Sequence, residues 1–153
     1  MKTLLAGFAV AIAALACTNG SAEQSTTTPA LVGTWQLQRG TLIEKGDTTV
    51  TDYTKKVSFI KIINDTHFAF MQHDLNKGAD STAVFVAGGG RYELNGNQYT
   101  EHLEYCNDRQ WEGHDFTFTI TLKGDTLVQQ GVEKIEKAGI DRLNIEQYVR
   151  VKP

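Results

Sequence analysis

The stretch "GGGRYELNGNQYTEHLEYC", residues 88 to 106, decides between two very different folds. Three consecutive glycines suit either a phosphate-binding loop or a β-strand that bends sharply. A phosphate loop needs a helix after the glycines, because the free amides at the helix N-terminus hold the anion. Here the glycines precede an alternating segment and the dipeptide Asn95-Gly96, which favours a two-residue hairpin turn. The stretch therefore predicts a bent strand followed by a β-hairpin, and not a phosphate site.

The rest of the chain repeats this pattern. Sequential strands joined by tight turns form an antiparallel meander, and closing the meander into a barrel removes its exposed edges. We expect an all-β fold, an antiparallel up-and-down β-barrel of about eight strands, with a β-sandwich as the alternative. Residues 132 to 142 predict a helical turn or an irregular loop, with Gly139 as a C-cap. The predicted strands are 33–42, 56–63, 66–73, 81–94, 97–106, 115–122, 125–131 and 143–151.

The first residues are typical of an exported protein. In "MKTLLAGFAVAIAALAC", Lys2 precedes an apolar run that is too short to span a bilayer. The sequence before Cys17 is similar to a bacterial lipobox, in which the cysteine carries a lipid, although Leu15 stands one position closer to it than that pattern requires. Small residues before Glu23 offer a second cleavage site without a lipid.

These two sites give two versions of the domain organisation. The signal peptide is 1–16 or 1–22, and 17–30 is a small, polar tether. The folded domain is expected over 31–153. The expected location is the outer membrane, as a lipoprotein, or the periplasm or medium, as a secreted protein. Membrane contact is expected only through a lipid at Cys17.

Composition and charge exclude several classes of protein. The 153 residues are 41% hydrophobic and 22% charged, as in a single globular domain. A net charge of −3 without clustered Lys and Arg argues against a nucleic-acid partner. Only Cys106 remains in the folded part, so no internal disulfide is expected. His67 and His73 would lie roughly 20 Å apart along a strand, so we expect no metal site and no cofactor.

Two short motifs, one in the first predicted strand and one in the last, are similar to motifs of a known protein family. "LVGTWQL" places Gly33 and Trp35 at the start of the first strand, and "YVRVKP" places Arg150 in the last one. The chain thereby resembles lipocalins of the calycin superfamily, and most closely the short lipocalin-like proteins exported by Gram-negative bacteria. The resemblance implies a closed barrel that holds a small hydrophobic or amphipathic molecule. It also implies that Trp35 plugs the closed end and that Arg150 stacks on its ring.

The hairpin turn fixes which side chains share a face. With residues 95 and 96 as the turn, Tyr92 lies opposite Tyr99, and alternate side chains point the same way. On this count Gly90 lies opposite Glu101 and leaves interior space beside it. We expect the tyrosines inside, because the other face is charged. The predicted inner set is Tyr92, Leu94, Tyr99, Glu101, Leu103 and Tyr105, and the predicted outer set includes Arg91, Glu93, His102, Glu104 and Cys106.

The same alternation assigns faces to two further hairpins. The predicted inner residues are Phe116, Phe118, Ile120, Leu122, Leu127 and Gln129 in one, and Val57, Phe59, Lys61, Phe68, Phe70 and Gln72 in the other. The outer face of the second hairpin is also apolar, with Ile60, Ile62, Ala69 and Met71, and suits a protein partner.

Three functions fit this pattern. We expect a non-enzymatic barrel that binds a small hydrophobic or amphipathic ligand inside. The first alternative is an envelope-anchored interaction or inhibitor protein, which binds its partner with the outer face or the Trp111 loop; that loop also suits a lid. The second is an isomerase or hydrolase that uses Glu101, since an apolar cavity raises a carboxyl pKa. Glu101 also fits a structural role or an anchor for the ligand. The predicted ligand-binding residues are Tyr92, Tyr99, Glu101, Leu103, Tyr105, Phe116, Phe118, Ile120 and Gln129.

Overall fold

The computed structural model describes residues 30–152. The predicted signal peptide, Cys17 and the tether up to residue 29 lie outside this range. Between residues 30 and 152, no helix is long and apolar enough to cross a membrane. The strands are β1 Gly33–Glu44, β2 Asp47–Asp52, β3 Val57–Ile63, β4 His67–Asp74, β5 Phe85–Asn95, β6 Gln98–Leu103, β7 Tyr105–Cys106, β8 His114–Lys123, β9 Thr126–Ile135 and β10 Ile140–Arg150.

These strands form one closed antiparallel sheet. Each main strand pairs with its neighbour in sequence, and β10 returns to pair with β1. β2 and β3 pair with successive halves of β1, so together they form one interrupted strand of the barrel. β6 and β7 both pair with β5 and likewise form one interrupted strand. The result is a closed, eight-stranded up-and-down barrel. The predicted barrel is confirmed, and the sandwich is not formed.

Strand β2 was not predicted. Its sequence, "DTTVTD", is exposed throughout and shows no apolar alternation, so periodicity gives no signal for it. The turn before β2 carries a clearer signal: Lys45 and Gly46 both have positive φ, 52° and 90°, as a two-residue type I′ turn requires. This hairpin lengthens the barrel wall at the open end.

The helical turn predicted within residues 132 to 142 is present but shorter than this segment. Strand β9 continues to Ile135, and only Glu136–Ala138 form a 3-10 turn before β10 begins at Ile140. Gly139 is the predicted C-cap, with a φ of 69°. The end of β9 was not predicted because Glu133, which points inward, has the charge typical of a surface residue.

The closed end of the barrel is built around Trp35. Its side chain is 0% exposed, and its indole nitrogen donates to the carbonyl of Leu31 at 2.8 Å. The guanidinium carbon of Arg150 lies 4.1 Å from the ring centre, and Nη1 of Arg150 donates to the carbonyl of Val32 at 2.8 Å. A Cβ at Gly33 would overlap that same Nη1. The Gly-x-Trp spacing is therefore explained by packing, because only glycine leaves room for the arginine over the tryptophan.

The predicted register of the β5–β6 hairpin was wrong by two residues. The turn residues are Gly96 and Asn97, not Asn95 and Gly96, and Tyr92 lies opposite Glu101 rather than Tyr99. Gly96 has a φ of 61°, so the glycine occupies the first turn position. A slip of two residues keeps every side chain on its predicted face, because side chains alternate with a period of two.

A one-residue irregularity further along changes the faces. The ladder is interrupted at Glu104, after which Tyr105 pairs with Gly89 and Cys106 with Gly88. One extra residue reverses the inside and outside positions. Tyr105 is therefore 69% exposed and Cys106 is buried, so both predicted orientations were wrong. The outer charged face does form an ion pair, with Nε of Arg91 2.6 Å from Oε1 of Glu104.

The three glycines do not leave free space. A Cβ at Gly88 would lie 2.6 Å from Cζ of Phe70, and a Cβ at Gly90 would overlap the carbonyl oxygen of His102. The glycines instead allow neighbouring strands and one aromatic ring to approach the β5 backbone closely. The predicted strand is present as β5, but the predicted space opposite Glu101 was wrong.

Candidate functional site

The open half of the barrel contains a cavity of about 290 Å³. Its wall is aromatic because inward positions on the three strands β3, β4 and β8 carry phenylalanines, namely Phe59, Phe70, Phe116 and Phe118. The closed half below it is filled by apolar and aromatic side chains, among them Leu37, Ile63, Phe68, Tyr99, Leu127 and Tyr148. The barrel is therefore solid at one end and hollow at the other.

A buried ion pair forms the floor of the cavity. Nζ of Lys61, on β3, lies 2.6 Å from Oε1 of Glu101 on β6, and it donates to Oε1 of Gln129 on β9 at 3.1 Å. The side chains of Lys61 and Glu101 are only 3% and 8% exposed. Inward positions on three separate strands thus supply one ammonium group and its two acceptors.

Aromatic rings surround the lysine. Its Nζ lies 5.5 Å from the ring centre of Tyr148, 5.7 Å from that of Phe68 and 6.0 Å from that of Tyr99. These distances lie within the range of cation–π attraction. The rings also exclude water, so the ammonium depends on its carboxylate and amide partners for polar contacts.

Burial controls the electrostatics of this floor. Burial raises the pKa of Glu101, and the ammonium of Lys61 opposes that rise. The Tyr99 hydroxyl is buried and makes no hydrogen bond within residues 30–152. Burial first, and then the Glu101 carboxylate, raise the pKa of Tyr99. The hydroxyl of Tyr148 donates to Oε2 of Glu146 at 2.8 Å, and burial raises the pKa of Tyr148 too.

A second polar cluster lies on the β9–β10 side of the cavity. Glu133 accepts from Nε of Arg142 at 2.7 Å and from Nδ2 of Asn144 at 2.8 Å. The Arg142 guanidinium carbon lies 4.9 Å from the centre of the Trp111 ring, which packs against Phe116 at 5.7 Å. The Trp111 loop is thereby fixed against the cavity wall, where a lid would lie.

The predicted ligand-binding residues divide into two groups. Glu101, Leu103, Phe116, Phe118 and Gln129 line the cavity. The remaining four do not line it. Tyr99 is buried in the solid core, and Ile120 packs against that core. The Tyr92 hydroxyl donates to the backbone carbonyl of Asn64 at 2.8 Å, and Tyr105 points outward.

Several lining residues were not predicted as part of the site, namely Tyr53, Glu133, Arg142, Asn144 and Glu146. They are polar side chains at inward positions, which resemble solvent-facing residues in a sequence. The alternation of β10 contained a usable signal, because its residues at 142, 144, 146 and 148 share one face. The buried Tyr148 identifies that face as the inner one.

Residues 30–152 contain no group of three or more His, Cys, Asp or Glu side chains placed to hold a metal ion. His67 and His73 are exposed, and Nδ1 of His102 lies 2.8 Å from a carboxylate oxygen of Asp115 on the outer face.

One of three comparisons with known proteins identifies the family of this chain. None of the curated proteins matches the chain. Among solved structures, an uncharacterized protein from Bacteroides eggerthii is similar, with 12% sequence identity and a TM-score of 0.46, over 78% of this chain and 98% of that one. The family model described as a lipocalin-like domain matches residues 31–129, which is more than half of the chain and includes the Gly-x-Trp motif. The chain therefore belongs to the lipocalin-like domain family.

Proposed function

We propose that the barrel binds a small amphipathic molecule in its cavity and does not transform it. The cavity of about 290 Å³ is the observation that carries this proposal. Ligand pockets begin at about 300 Å³ and combine an apolar wall with a few inward polar groups. Here four phenylalanines supply the wall, and the side chains around Lys61 and Glu133 supply the polar groups.

The state of Glu101 favours binding over catalysis. A general base needs a free lone pair within reach of its substrate. Oε1 of Glu101 contacts an ammonium group at 2.6 Å, which compensates the negative charge of the carboxylate and so disfavours the uptake of a proton from a substrate. Glu101 then acts as a fixed partner of Lys61, and the ligand contacts the floor without exchanging protons with it.

A protein partner is the second candidate function. Large apolar side chains are exposed on the outer face of β3, β4, β5 and β7: Ile62 at 40%, Met71 at 36%, Phe85 at 65% and Tyr105 at 69%. Scattered apolar residues are normal on a surface, but these four lie on adjacent strands. This face suits an interaction that leaves the cavity free.

Native mass spectrometry of protein purified from its own host tests the ligand proposal, and we expect an adduct of small mass. Leu42→Trp introduces a large side chain into the cavity wall and should abolish the adduct. Val50→Trp is the matched control, because Val50 is 50% exposed on the adjacent strand and does not line the cavity. If both variants retain the adduct, the ligand binds elsewhere.

We also propose that the protein is exported and attached to the envelope by a lipid at Cys17. The leader-like sequence and the imperfect lipobox support this proposal. Cys17→Ser should move the protein from the membrane fraction to the soluble fraction. A wild-type protein that is already soluble and begins at Glu23 would contradict lipidation and would leave export intact.

A further inference from the structure

We propose that the cavity selects a positively charged ligand, a small alkyl or arylalkyl amine whose ammonium group binds beside Glu146. This inference rests on the proposed binding function and names the ligand class. It follows from the balance of charges in the cavity wall and from the position of one carboxylate.

The charged side chains that line the cavity do not balance. There are four carboxylates, of Glu101, Asp108, Glu133 and Glu146, and two cations. Lys61 pairs with Glu101 at 2.6 Å, and Arg142 pairs with Glu133 at 2.7 Å. Within residues 30–152, neither Glu146 nor Asp108 lies in an ion pair. Asp108 is exposed, whereas Glu146 is half-buried. Glu146 is therefore the inner carboxylate that lacks a countercharge.

The backbone places Glu146 in the middle of the cavity wall. On β10 it lies opposite Gly40 of β1 on one side and opposite Gln129 of β9 on the other. Its Oε2 accepts from the Tyr148 hydroxyl at 2.8 Å, and its other oxygen makes no hydrogen bond with residues 30–152. A partly desolvated carboxylate with a free oxygen attracts an ammonium group more strongly than an exposed one does.

An aromatic ring lies beside this carboxylate. Gly40 has no side chain, and the ring of Tyr53 occupies that space, since a Cβ at Gly40 would lie 3.0 Å from Cε2 of Tyr53. Burial and then the Glu146 carboxylate raise the pKa of Tyr53, which agrees with their proximity. The ring of Phe59 follows at 5.9 Å. A carboxylate beside aromatic faces is the combination that binds alkylammonium groups.

The two cations in the wall are poorly placed to bind an anion instead. Lys61 already donates to Glu101 and to Gln129 and is enclosed by rings. Arg142 is held by Glu133, and its guanidinium rests on Trp111. The lining of the cavity as a whole therefore keeps an excess of negative charge, and its two cations are already occupied.

Calorimetric titration of the full-length protein with three matched compounds tests the inference. The probes are 3-phenylpropylamine, 3-phenylpropan-1-ol and 3-phenylpropanoate, which share a phenyl ring and differ in charge at pH 7. We expect the amine to bind at least about tenfold more tightly than the alcohol, the value for one charge-assisted hydrogen bond, and the acid to bind most weakly. This comparison uses the wild type alone and so does not depend on the folding of a variant.

Glu146→Gln then locates the charge. The introduced amide oxygen still accepts from Tyr148, so the fold should survive, while the amine should lose about tenfold in affinity and the alcohol should be unaffected. Glu93→Gln is the matched control, because the Glu93 side chain is 79% exposed near the closed end.

The outcomes distinguish the inference from the proposed function. If the alcohol and the acid bind as well as the amine, the charge preference is wrong and the binding function stands. If the amine is preferred but Glu146→Gln leaves its affinity unchanged, the site at Glu146 is wrong. If none of the three compounds binds and the native protein carries no adduct, both proposals fail.

Discussion

The buried pair between Lys61 and Glu101 makes the most discriminating test of the barrel interior. Lys61→Met keeps the length and the apolar stem of the side chain but removes the ammonium from a position 2.6 Å from the carboxylate. The carboxylate is then left buried without its countercharge. Breaking a buried pair in this way costs about 3 to 5 kcal/mol of unfolding free energy.

The cost of Lys61→Met should depend on pH in a defined direction. Burial already raises the pKa of Glu101, and the substitution removes the ammonium that opposes this rise. The folded variant therefore binds a proton more tightly than the unfolded chain does. Its stability should fall as pH rises from the unfolded pKa of Glu through the higher folded one, and it should recover on acidification across the same window. The destabilisation should thus be largest near neutral pH and smaller near pH 4 to 5.

Urea denaturation followed by tryptophan fluorescence, repeated at several pH values, measures these free energies. The double variant Lys61→Met with Glu101→Gln removes both charges, and the introduced amide can donate to Gln129. We expect it to regain most of the loss and to lie within about 1 to 2 kcal/mol of the wild type, since replacing both partners is far less costly than removing one. A double variant as unstable as Lys61→Met would show that lost packing, and not an unpaired charge, causes the effect.

A surface pair of the same length is the control. Nε of Arg91 also lies 2.6 Å from a Glu104 oxygen, but these side chains are 67% and 30% exposed. Arg91→Met should therefore cost no more than about 1 kcal/mol, with little dependence on pH. If the two pairs cost the same, burial does not determine the strength of either, and the reasoning about Lys61 fails.

Three further predictions concern the rest of the barrel. Trp35→Ala should cost about 3 to 5 kcal/mol in urea denaturation, because it empties the closed end; a loss below about 1 kcal/mol would contradict that packing. Gly90→Ala should destabilise by about 1 to 3 kcal/mol, since its Cβ would meet the His102 carbonyl, and an unchanged midpoint would show that the strands can separate there. The pKa of Asp74 is lowered, mainly by the hydrogen bond that its carboxylate accepts from the Gly78 amide. The carboxylate therefore stabilises its loop at pH values above the pKa of the unfolded chain, and this stabilisation is lost as pH falls through the lower pKa of the folded protein. Asp74→Asn should therefore speed hydrogen exchange at Gly78 near pH 7, and equal rates in both proteins would contradict the capping role.

Local pattern determined the architecture of this protein. Alternation with a period of two predicted part of each of the eight barrel strands, although β2 was missed and β9 was predicted too short. It also placed Phe59, Lys61, Phe116, Phe118 and Gln129 on the inner face, where they lie. This works because facing depends only on neighbours along the chain, and even a register error of two residues does not change it. The Gly-x-Trp motif and Arg150 likewise predicted the closed end, because the first and last strands must pair for Arg150 to stack on Trp35.

Tertiary structure decided how the interior is used. No local pattern indicates that Lys61 meets Glu101, which lies 40 residues away, or Gln129, which lies 68 residues away. A single extra residue at position 104 sent Tyr105 outward and Cys106 inward, against the alternation. Charged residues at inward positions, above all Glu146, look like surface residues in the sequence, because a pattern of polarity does not record which carboxylates are paired. Pairing is a property of three-dimensional distance, and it determines which charge in the cavity remains free for a ligand.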